Sequence, residues 1–261
     1  MKNKMNKNFA KWLISIIVLM MTIGCSKGDP DRQKDEDTFN PKFVNSNWGH
    51  YSGVLVGSTG YFNILVTGVG VSAVVFFDGQ RYEMQSNTSV PEKQDYDLEL
   101  SKDGVVITFS VDKSGKRPEV EIEIPDHPNV NATIFKTEEK QPVKNYLGWS
   151  KSTYEQNTHN EIYNMTIKGD KYEVVAKSTF ESYSQVGIIE WIGKDKVRII
   201  APETTLLANV EPQTGVISYK ETGENNYSLE IQLTPQNLLI ADNPGFDDGD
   251  DYASPKPAPG K

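Results

Sequence analysis

The side chains that could do chemistry are few. The 261-residue chain holds one cysteine, Cys25, and three histidines, His50, His127 and His159. A single thiol forms no internal disulfide and no cysteine-based zinc centre. None of the histidines sits in an H-E-x-x-H spacing, so no metal site and no cofactor is expected. Gly68-Val69-Gly70-Val71-Ser72-Ala73 fits the dinucleotide fingerprint G-x-G-x-x-[GA]. That fingerprint works only where a helix begins at its end and points its N-terminus at the pyrophosphate. Here Val74-Val75-Phe76-Phe77-Asp78-Gly79 continues as a strand into a turn, so the glycines read as a hairpin turn. No G-x-S-x-G elbow is present, and Gly57-Ser58-Thr59-Gly60 reads as a loop between strands. His159, within Asn157-Thr158-His159-Asn160-Glu161, is expected in an exposed surface loop. The 36 acidic residues show no spacing that singles out a glycosidase-like pair. No catalytic residue is assigned, and the chain is expected not to be an enzyme; a hydrolase is the least favoured alternative.

The aromatic residues are the better candidates for recognition. Trp48, Tyr51, Trp149 and Trp191 stand out, with Tyr61, Tyr82, Tyr163 and Tyr183 beside them. Aromatic faces stack on the apolar faces of sugar rings, which makes the first four candidate ligand-binding residues. Large rings also fill or plug small β folds, and that is the competing role. Charge narrows the partner: 27 basic against 36 acidic residues give a net −9, the wrong sign for a nucleic-acid binder.

The N-terminus carries the most specific signal. Lys2, Lys4, Lys7 and Lys11 precede an apolar run from Trp12 to Ile23 that is broken only by Ser15 and Thr22. The run is shorter than the roughly 20 residues a spanning helix needs and suits the apolar part of a signal peptide. It ends in Thr22-Ile23-Gly24-Cys25. This segment resembles the lipobox of bacterial lipoproteins of the Bacteroidetes type, with Thr22 at the position usually held by Leu. The resemblance implies that Cys25 is lipidated, palmitate included, and becomes the new N-terminus. It places the protein in the cell envelope, lipid-anchored to the outer membrane on its periplasmic face or at the cell surface. An ordinary secretory signal is the alternative. Cleavage would remove four lysines and no acid, leaving a net charge of −13 over 237 residues.

Both flanks of the body read as linkers. Residues 25–41 are the cysteine and a polar tether with too little apolar surface to fold. Residues 242–261 contain Asp247-Asp248-Gly249-Asp250-Asp251, then Pro255, Pro257 and Pro259. The aspartates lack EF-hand spacing and read as a solvated acidic tail.

Between the linkers the apolar period is two. Tyr61 to Val66, Gly104 to Val111, Val120 to Ile124, Tyr172 to Val175 and Val197 to Ile200 read as strands. Asp78-Gly79, Asp103-Gly104, Gly169-Asp170, Gly193 and Gly223 punctuate them as turns. Only Glu203 to Val210 and Thr234 to Ala241 have helical potential. The body also matches itself: Trp48 to Ser52 with Tyr146 to Ser150, Phe77 to Met84 with Trp191 to Arg198, Gly104 to Val106 with Gly215 to Ile217, and Val120 to Pro125 with Leu229 to Pro235. The order is kept throughout, which suggests a tandem repeat.

The expected fold is all-β: two tandem antiparallel meander modules, small barrels or sandwiches, over 42–139 and 140–241, after a signal segment at 1–24. One larger continuous sandwich is the alternative. The W-G-x-Y-S-G of Trp48 to Gly53 resembles the first strand of lipocalin-like and avidin-like barrels, without the lipocalin G-x-W. Residues from Trp48 to Ile240 are similar to uncharacterised secreted proteins of flavobacteria, a likeness that implies no activity. The expected function is a non-enzymatic binding or accessory module for a glycan or another small ligand. A protein-interaction lipoprotein, such as an inhibitor, an immunity protein or a subunit of an outer-membrane complex, is the second class.

Overall fold

The computed structural model describes residues 43–236 except 58, 180 and 225. The signal segment, Cys25, the tether and the acidic tail lie outside these residues. The described part is all-β, built on antiparallel strands. Alternation is the cause: in Pro118–Glu123 the residues Val120 and Ile122 turn inward while Glu119, Glu121 and Glu123 stay exposed. Two-residue Asp-Gly loops close two of the hairpins. Asp78 and Gly79 have φ of 50° and 72°, and Asp103 and Gly104 have 52° and 83°. Positive φ at both central residues is what a hairpin turn matched to strand twist requires.

The first strands are β1 (Gly49–Val56), β2 (Thr59–Thr67), β3 (Gly70–Phe77) and β4 (Gln80–Ser86), paired in that order. The glycines at 68 and 70 therefore belong to the β2–β3 hairpin. Next come β5 (Tyr96–Lys102), β6 (Val105–Val111) and β7 (Pro118–Glu123), a separate three-stranded sheet. Two short pieces, β8 (Asn131–Ala132) and β9 (Phe135–Lys136), return to pair with β1. The remaining strands are β10 (Val143–Tyr154), β11 (Asn157–Lys168), β12 (Lys171–Lys177), β13 (Ser182–Ile192), β14 (Lys196–Ile200), β15 (Thr205–Val210), β16 (Ile217–Thr222) and β17 (Ser228–Pro235). They form a closed barrel in which β17 pairs back to β10. No strand of the first set pairs with a strand of the barrel among the described residues.

Two details differ from the sequence expectation. Thr205–Val210 is strand β15, not a helix, because Leu206, Ala208 and Val210 face the barrel core at period two. Thr234 and Pro235 end β17, and residues 237–241 lie outside the description. Of the internal matches, Trp48 to Ser52 and Tyr146 to Ser150 both fall on the first strand of their set, whereas the later ones are shifted by one strand. The turn at Gly79 joins the third and fourth strands of its set, whereas Gly193 joins the fourth and fifth of the barrel.

Each set has its own core. Tyr51, Leu55, Phe62, Ile64, Ile107 and Phe109 are buried in the first, and Met165, Tyr172, Val174, Ile189, Val197 and Leu233 in the barrel. A third cluster joins them. Val54, Val56 and Tyr61 on the outer face of β1 and β2 pack against Leu147 and Val175 on the barrel wall. Buried polar groups run alongside. Asn164 Nδ2 donates to the Leu55 carbonyl at 2.8 Å, and Asn145 Nδ2 donates to Ser52 Oγ at 2.6 Å. The Thr133 and Thr166 hydroxyls meet at 2.7 Å. Gly53 permits the closest approach in the first set, since a Cβ there would sit 1.7 Å from the Thr133 carbonyl oxygen. Any side chain would push β1 away from the 131–136 return.

Candidate functional site

The barrel strands alternate in phase, so inward-facing positions can be followed from the core to either end. At the end carrying the β11–β12 and β13–β14 turns, these positions are apolar: Tyr146, Ile167, Ile189, Val197 and Leu233. Towards the opposite end, where β10 turns into β11, the same phase becomes polar. Ser150 lies four residues after Tyr146, Glu161 two before Tyr163, Tyr183 six before Ile189, and Tyr219 and Glu221 two and four after Ile217. This end is the mouth.

Glu161 organises one side of the mouth. Its Oε2 accepts from Ser150 Oγ at 3.0 Å and from Tyr183 Oη at 3.1 Å, which leaves Oε1 outside both bonds. On another wall the Tyr219 hydroxyl donates to Glu221 Oε2 at 2.7 Å. Two tyrosine–glutamate pairs thus sit at one barrel end, with partly buried Leu206 and Leu229 packed beside them. Deeper in, Tyr163 is nearly buried and Tyr172 is 1% exposed. The Tyr172 hydroxyl has no hydrogen-bond partner among the described residues. Gly187, its cross-strand neighbour, makes room for that ring; a Cβ there would lie 2.5 Å from the hydroxyl oxygen.

The electrostatics keep these phenols as donors. Burial raises Tyr163, helped by Tyr183, Tyr172 and Glu161. Burial also raises Tyr183, with the Glu161 carboxylate adding to it. The bond to Glu221 pushes Tyr219 up to about 12, with burial contributing less. The mouth therefore offers neutral hydroxyl donors, carboxylate acceptors and aromatic edges over an apolar floor. Such a set can hold a neutral polyhydroxylated molecule and opposes an anion.

The four aromatic candidates do not form one site. Tyr51 is fully buried in the first core, its hydroxyl donating to the Asn47 carbonyl at 2.8 Å, so it presents nothing to a ligand. Trp48 plugs that half: its Nε1 donates to the Val90 carbonyl at 3.0 Å and its ring meets Phe43 edge-on at 5.5 Å. Trp149 faces outward from the barrel wall at 39% exposure. Trp191 sits at the barrel end away from the mouth, 42% exposed, with Lys144 Nζ 5.3 Å from its ring centroid. Only Tyr163 and Tyr183, from the wider aromatic set, reach the mouth.

The histidines also scatter. His50 is half-buried on β1 with its Nε2 enclosed, and the desolvation of the ring lowers it to about 4. His127 pairs with Asp78 at 3.3 Å. His159 is exposed, but on strand β11 rather than in a loop, because the register with β10 continues from Val143 to Tyr154. Among the described residues no three His, Cys, Asp or Glu side chains come together as a metal site.

Glu161, Ser150, Tyr219 and Glu221 were not singled out by sequence reasoning. Their signal was phase: Glu161 shares its strand face with Tyr163, Met165 and Ile167, a carboxylate on a core face. Comparison with protein-family models, with curated proteins and with solved structures gave no match, so the fold and the site rest on their own geometry.

Proposed function

We propose that this protein is a non-enzymatic binding module that takes a neutral polyhydroxylated ligand, a glycan, at the barrel mouth. The observation that supports this is the pair of tyrosine–glutamate hydrogen bonds on inward-facing positions at one end of a closed barrel. Exposed Tyr183 supplies a ring face, and Glu161 and Glu221 accept from ligand hydroxyls. Lipidation at Cys25 would hold the module at the outer membrane, with the tether giving it reach from the lipid surface.

Calorimetric titration with neutral oligosaccharides tests the mouth. Saturable binding is expected, weakened about tenfold or more, the loss of a well-made hydrogen bond, in Tyr183→Ala and in Glu161→Gln. Equal binding by those variants, or no saturable binding to any neutral glycan, would sink the proposal. For the anchor, Cys25→Ala should end incorporation of labelled palmitate, and continued labelling would refute the lipid attachment.

A further inference from the structure

The outer wall of the barrel is used unevenly. On β10, β11 and β12 it is covered: Leu147, Ile162 and Val175 belong to the cluster that holds Val54, Val56 and Tyr61 of the first half. On β13, β14 and β15 the outward phase meets solvent. Along β13 that phase holds Val186, Ile188, Glu190 and Ile192, because Ile189 between them turns into the core. On β14 it holds Arg198 and Ile200, and on β15 Leu207. Val186 is 62% exposed, Ile188 47% and Leu207 51%, whereas among the described residues the first half bares one large apolar side chain, Val69.

The register makes these positions one surface. Ile188 stands opposite Ile200, and Glu190 stands opposite Arg198, which in turn faces Leu207. Val186 lies two residues before Ile188 on the same strand face, and Leu207 lies diagonal to Ile200, whose direct partner is Thr205. The result is an apolar strip crossed by an ion pair, Arg198 Nη1 to Glu190 Oε2 at 2.6 Å, with both side chains open to solvent. On β12, Lys171 opposite Ile188 and Glu173 opposite Val186 edge the strip. Exposed apolar patches rimmed by charge mark interaction sites, and this one carries both signs in equal number.

We propose that this wall binds the same wall of a second copy of the chain, about a twofold axis that runs along the strands between β13 and β14. The register singles out that axis. It lays β13 of one copy over β14 of the other, so Ile188 meets the partner subunit's Ile200 and Glu190 meets the partner subunit's Arg198, each contact made twice. Sheets stack face to face in this way with strand directions within about 30° of one another. A uniformly acidic partner would meet repulsion at Glu190 and a uniformly basic one at Arg198, whereas a second copy answers both charges. An axis along the strands also keeps the base-to-mouth sense of the two barrels alike, so the pair presents two mouths towards one side. For a glycan of repeated units this doubles the attachment, a consequence that rests on the proposed ligand while the pairing itself does not.

Sedimentation equilibrium of the chain without its signal segment, residues 25–261 with Cys25→Ser, tests the pairing in the absence of sugar and of lipid. A dimer that dissociates on dilution is expected. Ile188→Lys should weaken it about tenfold or more, since it places a charge in the apolar strip. Glu190→Arg should weaken it as well, because arginine then faces arginine across the axis. Adding Arg198→Glu to Glu190→Arg exchanges both charges and should bring the dimer back to within about threefold of the parent. All three positions are exposed, and circular dichroism checks that each variant keeps the barrel. A chain that stays monomeric up to about 1 mM would overturn the proposal. So would a dimer that Ile188→Lys leaves unchanged, or one that the double exchange does not restore. With no sugar present, any of these results leaves the glycan site to its own titration.

Discussion

The two halves of the body solve the same problem in opposite ways. The barrel closes its ring of strands by hydrogen bonding, with β17 against β10, and leaves one end polar. The first half stays as two sheets, unpaired between β4 and β5 and between β7 and β8, and fills its interior instead, with Tyr51 and Phe109 edge-on at 5.1 Å and Trp48 across the end. A ring closed by backbone pairing can carry glutamates and tyrosines on its inner face. A ring that is not closed depends on packing, and its aromatics are committed to the core.

The sharpest way to break the comparison is to separate the halves. A chain ending at Glu139 would bare Val54, Val56 and Tyr61 and leave the Leu55 carbonyl without Asn164. We expect it to aggregate, while residues 140–236 alone give a cooperative unfolding transition by circular dichroism. A soluble, cooperatively folding first half would remove the contrast. Next in size is Asn164→Ala. This side chain donates to the Leu55 carbonyl and accepts from the Gly148 N–H at 3.1 Å while fully buried. Two orphaned backbone groups should cost about 4 kcal/mol in urea unfolding, and a loss under ~1 kcal/mol would show that water replaces the amide.

A third contrast is pH. His50 is neutral in the fold and held at about 4 by burial, against about 6.5 when unfolded. Between these values only the unfolded state takes the proton, so stability is complete above the unfolded value and falls as pH drops through the window. The loss should reach roughly 3 kcal/mol by pH 4, and His50→Gln should flatten this step in Tm. An unchanged profile in the variant would assign the acid sensitivity elsewhere. The last contrast is between two tryptophans, one of which gives the smallest effect of all. Trp48→Ala should cost about 3 kcal/mol through lost packing and its bond to Val90. Trp149→Ala, on the open wall, should stay within about 0.5 kcal/mol. Equal costs would mean that the outward ring is covered in solution.

The fold class was legible because its determinants are local. Period-two runs and Asp-Gly turns set strands and hairpins wherever they occur, and Val120 to Ile124 reads identically in sequence and structure. A barrel was one of the two forms expected; which half would close, and through which strands, was not legible, since the pairing of Trp149 with Gln232 depends on contacts far apart in the chain. The mouth was half legible. Tyr163 and Tyr183 stood out as aromatics, but Glu161 looked like one polar residue in a polar stretch until the register fixed its face. Trp48 and Tyr51 were misleading for the same reason: side-chain type suggests stacking, whereas burial is decided by the 131–136 return.

The bond from Asn164 to Leu55 has a consequence in time. The two residues are 109 positions apart, so a chain emerging N-terminus first presents β1 long before its cover exists. The outer face of the first half stays wet and unfinished until β10, β11 and β12 arrive. Completion is then set by the slow, long-range step rather than by the hairpins. Until then Val54, Val56 and Tyr61 need shielding on the growing chain, and the barrel, last to be made, acts as the lock on the part made first.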